Sequence, residues 1–422
     1  MNCKICKNRT NEIINFGRQP LANSFLKKKD FYKEFFYEMK IAYCKLCHTV
    51  QLSSIPNKKK FFNKDYAFVS QTSSAMTRHF KDFSEIIKKK LKRNKKNFIL
   101  EIGSNDGIFL QNFSKVKNYT ILGVEPATKI SVTAKKNGIN TLNDFFSYKL
   151  SKNIKKKYGE ADIVYAANVF SHVSNIKNIV KGIKNLLEKK GQFIFEVPYL
   201  LDIIKKKSFD QIYNEHVYFF SIISLMNLFK NFKLYVTRAD RINVHGGSIR
   251  VWIKKIPPNF LEKRKINNLI KLEKKNKLNS YATYKNFKLE ILDIKNKLIK
   301  KIKLFRKKNY SVCGYGATAK SSTILNFCNF DSRDINYITD NTPGKISKYT
   351  PGSHIQVKSN NFFKKNLPDI VVLFAWNHKN EILKKEGKLK NIRWLTYNKT
   401  VKIFNTKIVN NFSKTRMPQN NV

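Results

Sequence analysis

The strongest constraint on the fold is a pattern that occurs twice. An apolar run leads into a glycine-bearing turn and then a helical stretch, first as "KNFILEIGSNDGIFLQNF" from Lys96 and again as "YSVCGYGATAKSSTILNF" from Tyr310. Further apolar runs follow the first copy: "YTILGVEPA", "ADIVYAANVFSHV" and "GQFIFEVPYL". Two follow the second, "INYITDNTPGK" and "DIVVLFAW". Helical periodicity separates the runs. Strands that alternate with helices predict parallel, doubly wound sheets, so the fold class is α/β. At 422 residues the chain is too long for one ordinary core. A helix is expected over "SSAMTRHFKDFSEIIKKKLKRN", with a serine cap. Between the two α/β regions, past Pro257 and Pro258, a Lys-rich stretch runs to about Lys308 with apolar residues every three or four positions, as in packed helices.

The formal charge of +54 raises nucleic acid or an anionic membrane as partners. Lysines account for 71 of the 83 basic residues, and they are scattered along the whole chain. A nucleic-acid reader favours arginine for bidentate contacts, so the excess reads as lysine filling solvated positions in an A/T-rich genome. Weak, nonspecific attraction for polyanions at low salt is expected. No apolar run approaches the roughly 20 residues that cross a bilayer, and "MNCKICKNRTNEI" lacks the apolar core of a signal peptide. The expectation is a cytoplasmic protein without a membrane partner.

"CKIC" at Cys3–Cys6 and "CKLC" at Cys44–Cys47 share one spacing. Each CxxC knuckle presents two thiolates to one tetrahedral metal, and two knuckles complete a closed shell. Cys3, Cys6, Cys44 and Cys47 therefore predict a structural zinc site.

The first glycine turn, "EIGSNDG", holds Gly103, Asn105 and Gly107 where the backbone passes close to a ligand. Glu101 ends the preceding strand, placed to meet a cationic amino group. Glu125 ends the next strand, placed to bond ribose hydroxyls. There is no GxGxxG, and no helix N-terminus set for a pyrophosphate. A ligand with a ribose and a cationic amino-acid end fits: S-adenosylmethionine. Asp144 and Phe145 in "NDFFS" would then flank the adenine, with Asn168 closing the third strand over the cofactor.

Taken in order, "CKIC", "CKLC", "EIGSNDG", "GVEPA", "ANVFSHV", "FEVPYL", "FDQIYNEHVYFFS", "VHGGSIRV" and "GYGATAK" resemble the sugar C-methyltransferase family over nearly the whole chain. The resemblance implies a four-cysteine zinc lobe, a class I methyltransferase domain and a second Rossmann-like domain that helps enclose a nucleotide-linked keto-sugar. On that reading the zinc-binding lobe spans 1–70 and the methyltransferase domain 71–256. A helical connection spans 257–308, the Rossmann-like domain 309–408, and a loose tail 409–422.

Methylation on carbon needs a base near neutral pH and a donor for the enolate oxygen. "IYNEHVYFF" supplies His216 among Val217, Phe219 and Phe220, which would keep the ring dry and neutral. The resemblance assigns the base to His216 and supporting roles to Tyr213 and Glu215. Tyr213 and Glu215 share a face if the segment is extended; Tyr213 and His216 do if it is helical. Asn214 stands where the family commonly has a second histidine, and asparagine takes no proton near neutral pH. Tyr66, in "DYAFVSQTSS", is the further tyrosine that the resemblance brings to the active site. His172 and His245 are other polar candidates, structural or on the substrate side, and Gly246 and Gly247 would let backbone approach the sugar. In "GYGATAK" the third glycine is missing, so the second domain is expected to bind no dinucleotide, although Lys320 is placed to reach a diphosphate and Asp340 ends a strand.

The expected activity is transfer of a methyl group from S-adenosylmethionine to carbon of a nucleoside-diphosphate-linked deoxy keto-sugar. The alternatives are N- or O-methylation of a similar sugar, and a nucleic-acid-binding zinc ribbon or RNA methyltransferase. The last predicts steeply salt-dependent binding.

Overall fold

The computed structural model describes residues 1–56, 74–91, 94–387, 389 and 392–405. The chain forms two compact units. The first comprises Met1–Asn15, Met39–Ile204 and Asn214–Asn286; the second comprises Phe16–Glu38, Lys205–Tyr213 and Phe287 onward.

The N-terminal strands are β1 (Asn11–Pro20), β2 (Phe36–Tyr43) and β3 (Val50–Leu52). Next come helix α1 (Ser74–Lys90), β4 (Asn97–Ile102) and β5 (Tyr119–Val124). Then follow α2 (Thr128–Lys136), β6 (Thr141–Leu142), α3 (Tyr148–Tyr158), β7 (Ala161–Ala167), α4 (Ile176–Leu186) and β8 (Leu187–Pro198). After α5 (Leu200–Lys206) come β9 (Tyr218–Phe219), α6 (Ile222–Lys230), β10 (Tyr235–Ile242) and β11 (Ser248–Lys254).

The central sheet of the first unit has the order β10-β11-β8-β7-β4-β5-β6. β8, β7, β4, β5 and β6 run parallel, whereas β11 and β10 are antiparallel. All six residues of β4 are buried, as expected of a parallel strand covered on both faces. The pleat divides the apolar residues by alternation. Leu100, Val164 and Phe193 join one core, with Val180 and Ile183 of α4. Ile99, Ile163 and Ile194 join the other, with Phe80, Phe83 and Ile87 of α1. The strand order reverses on either side of β4, the arrangement that opens a ligand crevice at the strands' carboxyl ends. This is the class I methyltransferase sheet expected above.

Two local expectations change. After the first glycine turn the chain forms turns and a short 3-10 helix at Leu110–Asn112, not an α-helix. Phe109, Leu110 and Phe113 are all buried, and the Asn112 amide donates to the carbonyls of Ile108 and Phe109, both at 3.0 Å. The Asn112 side chain thus competes with the backbone for the carbonyls that an α-helix would use. The Tyr213–His216 stretch is neither extended nor helical. It turns at Asn214–Glu215 before entering β9.

A helical pair, α7 (Phe260–Lys275) and α8 (Tyr281–Lys307), follows β11. The second unit then supplies β12 (Val312–Tyr315), α9 (Ala319–Phe327), β13 (Tyr337–Thr339), β14 (Val357–Lys358) and α10 (Asn360–Lys365). β15 (Ile370–Leu373), α11 (Lys379–Glu386), β16 (Arg393–Thr396) and β17 (Lys402–Asn405) complete it. Its sheet, β14-β13-β12-β15-β16-β17, is parallel except for β17, and the order again reverses at β12.

Candidate active site

The four knuckle cysteines converge. Their sulfurs all lie within 4.8 Å of one another, with Cys3 Sγ 3.5 Å from Cys47 Sγ and Cys6 Sγ 3.4 Å from Cys44 Sγ. The hydrogen bond from Cys47 lowers the Cys3 thiol to about 4, and the same bond, with burial, pushes the Cys47 thiol up. A thiolate already held among thiols is the donor set of a closed tetrahedral zinc, so these residues fit the metal. The Lys4 N–H donates to Gln51 Oε1 at 2.9 Å, tying the first knuckle to β3.

At the carboxyl end of β4, Gly103 turns with φ 67° and its N–H donates to the Val124 carbonyl at 2.7 Å. A Cβ there would come within 2.3 Å of Val169 Cγ2, so only glycine lets this turn lie against the segment after β7. Glu125 Oε2 accepts the Asn105 N–H at 3.0 Å, and Oε1 accepts the Ala127 N–H at 2.8 Å. Burial raises the Glu125 carboxyl, against the pull of those two backbone donors. Each oxygen keeps a second lone pair for a ligand hydroxyl.

Glu101 is 2% exposed, and its Oε2 has no hydrogen-bond partner among the described residues. Burial, then the negative charges of Asp106, Glu125 and Glu196, hold its carboxyl well above the usual range. A buried acid among acids favours a cation, and S-adenosylmethionine brings a sulfonium and an ammonium. The residues at the ends of β4 and β5 therefore fit that cofactor. Asp144 and Phe145 are exposed just after β6, with Phe145 41% exposed and its N–H donating to Asp144 Oδ1. Asn168 follows β7 with φ 55°, and its N–H donates to the Glu196 carbonyl at 2.8 Å.

The network around Glu196 has no counterpart among the residues singled out from sequence. Its Oε1 accepts Tyr165 Oη–H at 2.9 Å and Arg250 Nε–H at 2.7 Å; His79 Nε2 lies 2.7 Å from Oε2. Arg250 pairs with Glu196 across β11 and β8, and its guanidinium lies 3.6 Å from the Phe83 ring centre. Burial alone would raise the Glu196 carboxyl, but the bond from His79 and the charges of Arg250 and His79 hold it below the usual range. Glu196 is thus a compensated anion, and Glu101 beside it is not.

His216 is buried, as are Asn214, Glu215, Val217, Phe219 and Phe220. Its ring centre lies 5.0 Å from that of His172 and 6.2 Å from that of Phe219. Local bonds set this position. The Val217 N–H donates to the Ser171 carbonyl, next to His172, at 2.9 Å, and the Leu52 N–H donates to the Val217 carbonyl at 2.9 Å. Tyr218 and Phe219 pair with Gln51 and Val50 of β3. His216 and His172 thus come together where the segment after β7 meets the segment before β9. Tyr213 clusters with the second unit. His245 (φ 51°) and Gly246 (φ 90°) form the turn before β11. Tyr66 lies outside the described residues. In the second unit, Asp340 spends its carboxylate on the N–H groups of Ala317 and Thr342, both at 2.8 Å, and Lys320 donates to Asn377 Oδ1 at 3.1 Å.

Three protein-family models match in succession: a zinc binding domain over residues 3–62, a methyltransferase domain over 68–239 and a C-methyltransferase C-terminal domain over 243–395. The chain is similar to the C-methyltransferase NovU of Streptomyces niveus, with 27% identity over 386 residues, 91% of each chain. Similar solved structures include an S-adenosylmethionine-dependent methyltransferase from Clostridium acetobutylicum (13% identity, TM-score 0.32, 42% of this chain and 91% of that one). Another is the magnesium protoporphyrin IX methyltransferase of Synechocystis (9% identity, TM-score 0.33, 42% of this chain and 81% of that one). With zinc-binding, methyltransferase and C-methyltransferase C-terminal models matched in that order, the chain is an S-adenosylmethionine-dependent methyltransferase, similar over most of its length to a C-methyltransferase.

Proposed function

We propose that the enzyme methylates the carbon beside a ketone in a deoxy sugar linked to a nucleoside diphosphate, with His216 as the base. One observation carries this reading: a buried histidine in a buried apolar stretch, its ring set against those of Phe219 and a second histidine, His172. S-adenosylmethionine, when bound, supplies an electrophilic methyl group. A carbon acid must lose its proton before it can accept that group, and an imidazole in a dry site is matched to the task. His216 takes the proton on a ring nitrogen. His172 limits how that ring can turn. Tyr213 donates to the oxygen on which negative charge develops, and Glu215 binds a sugar hydroxyl. Glu101 holds the cofactor's ammonium, Glu125 its ribose, and Phe145 with Asp144 its adenine. The diphosphate of the substrate suits a chain of this positive charge.

The test is a panel of nucleotide-linked 4-keto deoxy sugars with labelled S-adenosylmethionine, run with wild type and His216→Ala. Acid-stable label on carbon, lost in the variant, is expected. Label on nitrogen or oxygen, or an unimpaired variant, removes the general-base assignment. Label passing instead to RNA, with binding that falls steeply with salt, would overturn the sugar substrate.

A further inference from the structure

Helix α7 is a lysine-rich surface helix with a single buried acid. Among its described side chains only Ile266 and Glu273 are buried, and Glu273 has no exposed surface. An ionised carboxylate inside a protein is costly unless donors surround it. Here three do. Glu273 Oε1 accepts the Ile222 N–H at 2.6 Å and Tyr199 Oη–H at 2.8 Å, and Oε2 accepts the Ile223 N–H at 3.0 Å.

Ile222 and Ile223 open α6, the helix that begins where the His216 segment ends. The first N–H groups of a helix have no partners within it. At α6 the assignments are complete: Ile222 and Ile223 donate to Glu273, and Ser224 donates to Ser221 Oγ at 3.1 Å. A carboxylate at this end also meets the positive pole of the helix. Glu273 therefore fixes the point at which β9 passes into α6.

Tyr199 extends this fastening to the other strand. It follows β8, three residues after Glu196, and its N–H donates to the Gly247 carbonyl at 3.2 Å. It bridges to Phe220, and the next N–H, of Leu200, donates to the Phe220 carbonyl at 3.0 Å. One carboxylate thus joins the end of the His216 segment, the end of β8 and the turn before β11. All these residues lie in the first unit.

We infer that Glu273 is a positioning residue for methyl transfer: from α7 it holds the downstream end of the His216 segment, through the first turn of α6 and through Tyr199. Helix α7 is on this account part of the apparatus that aims the base. The inference rests on the reading of His216 as base for its kinetic arm alone.

The variants are Glu273→Gln and Tyr199→Phe. In Glu273→Gln the side-chain amide points N–H at an N–H of α6, whereas Tyr199→Phe leaves both backbone bonds to the carboxylate. Hydrogen–deuterium exchange by mass spectrometry needs no substrate. It is expected to show faster exchange over 217–224 in Glu273→Gln, a smaller increase in Tyr199→Phe, and no change over the strand and turn of 97–107. The kinetic arm follows loss of deuterium from the carbon beside the ketone, with S-adenosylhomocysteine in place of the methyl donor. Exchange at that carbon and kcat for methyl transfer should fall together by about tenfold or more in Glu273→Gln, with unchanged affinity and stoichiometry for S-adenosylmethionine. A merely structural role would lower binding stoichiometry and kcat in step. Unchanged amide exchange over 217–224 overturns the inference, whatever the substrate. A wild-type enzyme that exchanges no substrate deuterium sinks the base assignment instead, and the amide-exchange arm still decides the role of Glu273.

Discussion

The rings of His172 and His216 lie 5.0 Å apart, centre to centre, inclined at 42°. The contact is fixed by backbone, since Val217 N–H bonds the Ser171 carbonyl, so each histidine is one residue away from a bonded partner. If His216 is the base, His172 sets the direction its nitrogens face. His172→Ala should keep S-adenosylmethionine affinity and lose about ten- to a hundredfold in kcat, the cost of small misplacement in a reacting pair. His216→Ala should lose more, about a hundred- to ten-thousandfold. Steady-state kinetics on both variants checks the ranking, and a His172 variant as poor as the His216 variant would make His172 itself a proton carrier.

Glu101 predicts a pH dependence of cofactor binding. Its folded-state carboxyl is raised by burial and by Asp106, Glu125 and Glu196, so the free protein holds its proton above the ordinary glutamate range. A bound cation favours the ionised form, so binding should expel that proton. Affinity for S-adenosylmethionine should therefore rise with pH from the ordinary glutamate range up through the raised value, and then level. Calorimetry in buffers of different ionisation heat would detect the released proton. Glu101→Gln should bind more weakly and flatten the profile.

Glu196 has the opposite sign. Its carboxyl is depressed in the folded protein, so its ion pairs stabilise above the ordinary glutamate range and that contribution is lost as pH falls through the depressed value. Glu196→Gln leaves Arg250 buried beside a neutral group and should cost about 3–5 kcal/mol, as broken buried pairs do. The double variant Glu196→Gln, Arg250→Met should recover part of that loss, because no buried charge is then stranded. Denaturant midpoints for the two single variants and the double variant measure the coupling.

Much of this arrangement was legible from local patterns. The paired CxxC spacing foretold the sulfur cluster, because each knuckle is a local signal even though the two meet across 44 residues, and strand–turn signals put Glu101, Gly103 and Glu125 at strand ends, because a strand end is set by neighbours a few residues away. Glu196 and Glu273 were not legible. Glu196 meets His79 and Arg250 from 117 and 54 residues away, and Glu273 caps a helix about 50 residues upstream. A glutamate in "FEVPYL" or in "KLEKKN" looks like any solvated acid until the sheet and α7 bury it. The turn at Asn214–Glu215 was equally hidden. It is imposed by pairing with β3 and by the Ser171 carbonyl, contacts that no local periodicity encodes. The allegiance of residues 16–38 to the second unit is likewise a matter of tertiary packing.

The zinc cluster has a consequence beyond its own lobe. Lys4, inside the first knuckle, holds Gln51, and β3 carries both Gln51, opposite Tyr218, and Val50, opposite Phe219. Leu52 adds its N–H to the Val217 carbonyl. A metal held by the knuckles would therefore brace the strand with which the His216 segment pairs, while the residues proposed for the cofactor stand at the ends of β4 and β5. Removing zinc by chelation, or by Cys44→Ser, should lower methyl transfer and speed amide exchange over 217–220, with affinity for S-adenosylmethionine little changed. Metal analysis should return about one zinc per chain in the wild type, since two CxxC knuckles close a single tetrahedral shell. If zinc-free protein methylates at the wild-type rate, β3 does not depend on the metal for its position. If cofactor affinity falls as far as activity, the metal supports the whole first unit and not this strand in particular.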